Sequence, residues 1–178
     1  RHRDADAMGS ALSRLLVRGQ LRVLVVGLGG AGKTTLLHRL KLGQVVTTIS
    51  GGTFGVESVE YRHYSFIVID IGGPLAVRQI WRHYYPTTGG LIWVVDSGDR
   101  ARVQEVHGNM RAMLNEEGLR GVPLLVFCNK QDLPDAMTAD EVCGALALHD
   151  IDGRRWMVQS ACATTGSGLE EGLHWLTC

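Results

Sequence analysis

Eight consecutive residues, Gly27-Leu28-Gly29-Gly30-Ala31-Gly32-Lys33-Thr34, have the types and the spacing needed to hold phosphate groups. They match the pattern G-x-x-x-x-G-K-[ST] and lie between an apolar run of strand character and a segment of helical period, which is the context the pattern requires. Glycines at these positions let successive backbone N–H groups wrap phosphate oxygens at a helix N-terminus. A lysine at position 33 extends to β and γ phosphates, and the Thr34 hydroxyl is a hard oxygen ligand suited to Mg²⁺. Thr35 follows at the start of the helix and belongs to the same set.

Such a loop indicates a nucleotide but does not distinguish an ATPase or a small-molecule kinase from a GTPase. The base is indicated by Asn129-Lys130-Gln131-Asp132, which follows the apolar run LLVFC and so falls at the carboxyl end of a parallel strand, where ligands bind in open α/β sheets. A carboxylate at Asp132 can accept hydrogen bonds from both N1–H and N2–H₂ of guanine, whereas adenine presents an N1 lone pair that repels it. The aliphatic stem of Lys130 can lie along a purine face.

The elements that must position these residues are short Val/Ile/Leu-rich runs alternating with helical patterns. Strands are expected at 21–26, 54–61, 64–69, 90–95, 124–128 and 155–159. Helices are expected at 33–41, 100–117, 139–148 and 168–176, the last two after polar starts at Thr138 and Ser167. Only Arg62 and His63 join the second and third strands, so that pair is antiparallel; helices separate the others, which are therefore parallel. The pattern predicts a three-layer α/β domain on a mostly parallel six-stranded sheet with one antiparallel strand, covering residues 21–178 after an N-terminal extension of residues 1–20. Eighteen basic residues balance eighteen acidic ones, so no global field calls for nucleic acid. Cys128, Cys143, Cys162 and Cys178 are scattered, without CxxC pairs, which predicts a reducing compartment and no zinc site. With no apolar run of membrane-span length and no secretory h-region, the chain reads as cytoplasmic.

The stretches LKLGQVVTTI, VESVEYRHYSFIVIDIGG, WRHYY, VVDSGDR, LLVFCNKQDLPDAM and CATTGSGLEEGLHWL, together with the phosphate loop, resemble the ADP-ribosylation factor (Arf) and Arf-like small GTPases over nearly the whole length. The resemblance implies the P-loop small-GTPase fold, GTP/GDP and Mg²⁺ as ligands, and a switch in vesicle-mediated transport that sits peripherally on Golgi or other endomembranes. It implies that Asp70 belongs to the phosphate-sensing segment and serves Mg²⁺ indirectly, and that the Gly73 backbone N–H meets the γ-phosphate. It places Cys162 and Ala163, followed by Thr164, in the loop whose backbone also meets guanine. Phe54, Trp81 and Tyr84 resemble the hydrophobic patch that exchange factors and effectors face.

Two departures bear on chemistry. Relatives read close to TTIPTIGF in the first switch, with a threonine that ligates Mg²⁺; here Gly51 stands at that threonine, with Thr53 two residues on. The adjacent Gly51 and Gly52 raise the entropy lost on ordering by about 1 kcal/mol each relative to alanine. After Asp-x-Gly-Gly the family carries a glutamine that orients the attacking water, and this chain carries Pro74, which has no side-chain donor or acceptor and no backbone N–H. No catalytic residue is therefore assigned, and slow hydrolysis is expected. Ile69 stands where the family's patch commonly has tryptophan, and Gly29 where it commonly has aspartate. Three readings stay open: a nucleotide switch that hydrolyses GTP poorly, an active GTPase in which His83 or Gln79 compensates, and a pseudo-GTPase scaffold. The intact GLGGAGKT and NKQD favour binding over the scaffold, and Gly51 and Pro74 argue against efficient turnover, which leaves the first.

Met8-Gly9-Ser10-Ala11-Leu12-Ser13 fits a myristoylation signal if Met8 begins the natural protein, and Ala11, Leu12, Leu15 and Leu16 with Arg14 and Arg18 form a short amphipathic pattern suited to reversible membrane contact. The seven histidines do not cluster. Trp156 and Trp175 fall in apolar surroundings and read as core or core-edge residues.

Overall fold

Alternation along the first apolar run fixes the architecture. Val23 and Val25 point to one face of the sheet while Leu24 and Val26 point to the other, and all four are at most 1 % exposed, so both faces must be covered. The computed structural model describes residues 20–41, 48–49, 56–61, 63–70 and 81–178. Its strands are β1 (Leu21–Gly27), β2 (Thr48–Ile49), β3 (Val56–Tyr61), β4 (Tyr64–Asp70), β5 (Gly90–Asp96), β6 (Leu124–Asn129) and β7 (Trp156–Ser160). Its α-helices are α1 (Lys33–Lys41), α2 (Val103–Leu114), α3 (Ala139–Ala145) and α4 (Leu169–Thr177).

The strands form one sheet in the order β2-β3-β4-β1-β5-β6-β7. The five from β4 to β7 are parallel; β3 is antiparallel to β4, as the short connection requires, and Tyr61 pairs with Tyr64 at its closed end. The expected six strands are all present, and a seventh is added by Thr48–Ile49, which pairs antiparallel with Ser58 and Val59. Two residues are too short to carry a readable alternation, so this edge strand exists through its ladder with β3 rather than through its own pattern.

Register places the chemistry. Gly27 pairs with Asp70 across β1 and β4, and Asp96 pairs with Asn129 across β5 and β6. The carboxyl ends of four strands thus reach one edge of the sheet together, and among the described residues the phosphate loop and the Asn129–Asp132 motif both hang from that edge. One core lies between the sheet and α2 with α3, built on Leu24, Val26, Trp93, Val126 and Met110. The other lies under α1 and α4, built on Val23, Val25, Phe127, Leu36, Leu37 and Leu173. Gly172 lets α4 approach closely, because a Cβ there would stand 2.6 Å from the ring of fully buried Phe127. Trp156 packs half-buried against the first core and Trp175 against the second, with the Arg155 guanidinium 5.3 Å from the Trp175 ring centroid, so both are core-edge residues as expected.

Helix ends differ from the expected boundaries for local reasons. The expected helix at 100–117 divides into a 3-10 turn at Arg100–Arg102, α2, and a second 3-10 turn at Glu117–Leu119. Helix α3 stops at Ala145 instead of Leu148, since Ala147 enters the left-handed region at φ 48. Thr138 caps α3 as expected: its side chain accepts from Glu141 N while the Glu141 carboxylate accepts from Thr138 N, a complete capping box. Ser167 does not cap α4; the N-cap is Gly168 at φ 76, with no side-chain bond. Among the described residues, no helix is long and apolar enough to cross a membrane. The expected N-terminal helix and the myristoylation pattern lie outside the described residues.

Two predictions test this packing and capping. Gly172→Ala forces the Phe127 ring to shift, and overpacking of about 1–3 kcal/mol should outweigh the roughly 1 kcal/mol that alanine adds to a helix, so urea denaturation should show a net loss. The Arg100 guanidinium and then the Thr138 N–H draw the Glu141 carboxyl down from 4.5 to about 2. Because the folded-state value is depressed, this stabilisation is present above pH 4.5 and fades as pH falls toward 2. Thermal melting of Glu141→Gln beside the parent should show a gap at pH 7 that closes through that acidic window.

Candidate functional site

The loop between β1 and α1 is held from below and open above. Leu28 is buried in one core and Ala31 in the other, so the loop straddles both. Gly29, Gly30, Thr34 and Thr35 are exposed along its rim. Two glycines are demanded by close approach: a Cβ on Gly27 would stand 2.4 Å from the Val94 carbonyl oxygen, and one on Gly32, at φ 96, would stand 2.3 Å from Asn129 Nδ2. Lys33 is 5 % exposed and folds back along the loop, its Nζ donating to the carbonyls of Gly27 and Leu28 at 2.8 Å each. A buried ammonium, successive backbone amides and the first turn of α1 converge on one solvent-facing rim, which is a donor set for anionic oxygens.

The second loop meets the first through Asn129. This side chain is 1 % exposed; its Nδ2 donates to Ala31 O at 2.8 Å and its Oδ1 accepts from Ala163 N at 2.9 Å. One carboxamide therefore joins the phosphate loop, the end of β6 and the loop after β7. Lys130 takes the left-handed conformation at φ 66, and its Nζ lies 2.5 Å from Asp96 Oδ2. Asp132 is exposed, and Cys162 Sγ donates to its Oδ1 at 3.3 Å. The Thr164 hydroxyl, 3.0 Å from the same sulfur, is the main influence holding the Cys162 thiol below its ordinary value. Cys128, by contrast, is pushed up to about 12 by burial. Guanidinium Nη2 of Arg39, on α1, donates to Thr165 O at 2.5 Å, bracing the loop after β7 against that helix.

Sequence-derived residues are thus brought together at one edge: Gly27 to Thr35 from the first loop, Asn129, Lys130 and Asp132 from the second, Cys162 and Ala163 from the third. Asp70 ends β4 opposite Gly27. Gly51, Thr53, Phe54, Gly73, Pro74 and Gln79 lie outside the described residues. His83 is exposed, and Tyr84 is half-buried against the core. Two of the residues expected in a surface patch are not there: Trp81 is 3 % exposed and Ile69 is 1 % exposed, and both belong to the same core as Val26 and Trp93. Ile69 pairs with Val26 on neighbouring strands, which commits its side chain to the covered face. Sequence assigns no role to Asp96, Asp99 or Arg102, although VVDSGDR, residues 94–100, runs off the end of β5 at the same sheet edge; a turn of small and charged residues carries no signal of what it will touch.

Removing the Asn129 carboxamide strands two buried backbone groups, Ala31 O and Ala163 N–H. Asn129→Ala should cost about 2–4 kcal/mol in urea unfolding of the nucleotide-free protein, where no ligand contributes.

The exposed rim with its convergent donors fits a phosphate chain, and the exposed Asp132 carboxylate beside Lys130 fits a guanine edge. A family model described as the ADP-ribosylation factor family matches residues 8–178, nearly the whole chain. This chain therefore belongs to the ADP-ribosylation factor family, whose members are GTP-binding switches that take GTP or GDP with Mg²⁺.

Proposed function

We propose that this protein is an Arf-type guanine-nucleotide switch that binds GDP and GTP but hydrolyses GTP slowly, and that it works in membrane or vesicle traffic, in contact with exchange factors and effectors. The observation that carries the binding half is Asn129. By bonding Ala31 O and Ala163 N, it presets the spacing between the phosphate loop and the two loops that flank a base. In this reading the amides of residues 28–34 and the Lys33 ammonium hold the phosphates, Thr34 supplies an oxygen to Mg²⁺, Asp70 acts on that metal indirectly, and the Gly73 amide meets the γ-phosphate. Asp132 accepts from the guanine N1–H and N2–H₂, while Lys130 lies along the ring and the Ala163 backbone borders it. Thr34 would hold Mg²⁺ through its hydroxyl, and the metal would supply charge neutralisation to the phosphates.

The hydrolysis half rests on Pro74 and Gly51. A pyrrolidine cannot orient a water, and a glycine offers no hydroxyl to a metal. An arginine supplied by a partner stabilises charge without replacing the water-orienting group, so stimulated hydrolysis suffers as well.

The test measures GDP and GTP affinity with and without Mg²⁺, followed by single-turnover hydrolysis of the parent beside Pro74→Gln. Binding of both nucleotides, selective over ATP, is expected, with hydrolysis faster by roughly tenfold or more in Pro74→Gln. Hydrolysis already at a typical GTPase rate and indifferent to Pro74→Gln would overturn the claim about the proline. Failure to bind either nucleotide would identify an interaction scaffold instead.

A further inference from the structure

Between β5 and α2 runs a short segment, residues 96–102, whose two ends hold two different loops. At its start, Asp96 Oδ2 takes the Lys130 ammonium while Oδ1 accepts from Gly98 N at 3.0 Å, so the carboxylate is fixed by its own turn. At its end, Arg102 Nη1 donates to the Gly29 carbonyl at 3.3 Å and Nε meets Asp99 Oδ2 at 2.5 Å. Asp99 is fixed in turn, because its Oδ1 caps the 3-10 turn by accepting from Arg102 N at 3.1 Å. The middle is anchored by Ser97, fully buried, whose N donates to Asn129 O at 3.0 Å and whose O accepts from Met137 N at 2.7 Å.

Gly29 is the part of the phosphate loop that packing holds least. It is exposed, its neighbour Gly30 sits at φ 82, and a Cβ on either would meet nothing within 4 Å. Two consecutive glycines have the largest conformational freedom of any pair, so an external bond to their carbonyl restricts the loop more than it would elsewhere. A guanidinium suits this task because its planar fork serves Asp99 and Gly29 at once, whereas an ammonium is a single point charge.

We propose that residues 96–102 set how long a guanine nucleotide stays bound, with Arg102 as a positioning residue: it holds the Gly29 carbonyl in the same rigid frame in which Asp96 holds Lys130. This rests on the reading of the site as a guanine-nucleotide site. Loosening the Arg102 end frees the phosphate side of the pocket without touching the base side, and release accelerates.

The full chain is loaded with a fluorescent GDP analogue and chased with unlabelled GDP at fixed Mg²⁺. Arg102→Ala should speed release about fivefold, an effect kept modest by the exposure of the pair. Asp99→Asn, which keeps the cap but removes the charge that orients the guanidinium, should act in the same direction, and the double variant should release no faster than Arg102→Ala alone. Arg102→Lys should fail to restore parental release, and the melting temperature of the nucleotide-free protein should barely move. Release by Arg102→Ala within about twofold of the parent, or full restoration by Arg102→Lys, would overturn the positioning role. If the parent holds no guanine nucleotide, the proposed function fails on its own, and amide hydrogen exchange of the nucleotide-free protein decides the clamp. Faster exchange at residues 29–31 in Arg102→Ala sustains it, and unchanged exchange sinks it.

Discussion

The buried carboxamide of Asn129 is the interaction on which the rest of the candidate site depends. At the end of β6 it is sealed from water, so both of its polar atoms must find partners inside the protein, and each finds a backbone group of a different loop. This makes the geometry all-or-none: the phosphate loop, the base motif and the loop after β7 stand in one relation or leave buried groups unsatisfied. The same approach forbids a side chain on Gly32, since a Cβ there would occupy the carboxamide's space. A motif glycine is thus explained twice, by its left-handed backbone and by a neighbour far along the chain.

The sheet makes that convergence possible. Five parallel strands bring Gly27, Asp70, Asp96 and Asn129 to one edge, with a core and helices on each face of the sheet. Loops at the edge are also tied by side chains that reach between elements: Arg39 of α1 reaches Thr165, Lys130 reaches Asp96, and Arg102 reaches Gly29. Most of these are exposed or half-exposed pairs, individually modest, and their weight lies in fixing loops that glycines would otherwise leave free.

The proposed function separates grip from turnover. In our reading Gly27 to Thr35, Asn129, Lys130, Asp132 and Ala163 hold a nucleotide at the sheet edge, whereas Gly51 and Pro74 are departures from the family that bear on Mg²⁺ and on the attacking water. The proposed slow hydrolysis and the proposed control of nucleotide residence thus rest on different residues, Pro74 and Gly51 for the first and residues 96–102 for the second. Trp81 and Ile69 belong to the core, since burying a large aromatic or a branched aliphatic side chain against a sheet gains more than leaving it exposed.

What the sequence determined by itself was the local alphabet: the phosphate loop, the base motif, the antiparallel hairpin forced by a two-residue connection, six strands, and the capping box at Thr138. These depend on residue type and on spacing of a few positions, which is information a linear chain carries. Only the tertiary structure decided the rest. The two-residue strand Thr48–Ile49 exists through its partner β3, Gly168 replaced Ser167 as a cap, and Trp81 and Ile69 went into the core instead of a surface patch. Residues 96–102 carried no legible role because their partners, Lys130 and Gly29, lie 34 and 73 positions away along the chain. Contacts at such separations are set by strand order and register, which the residues at either end do not encode on their own.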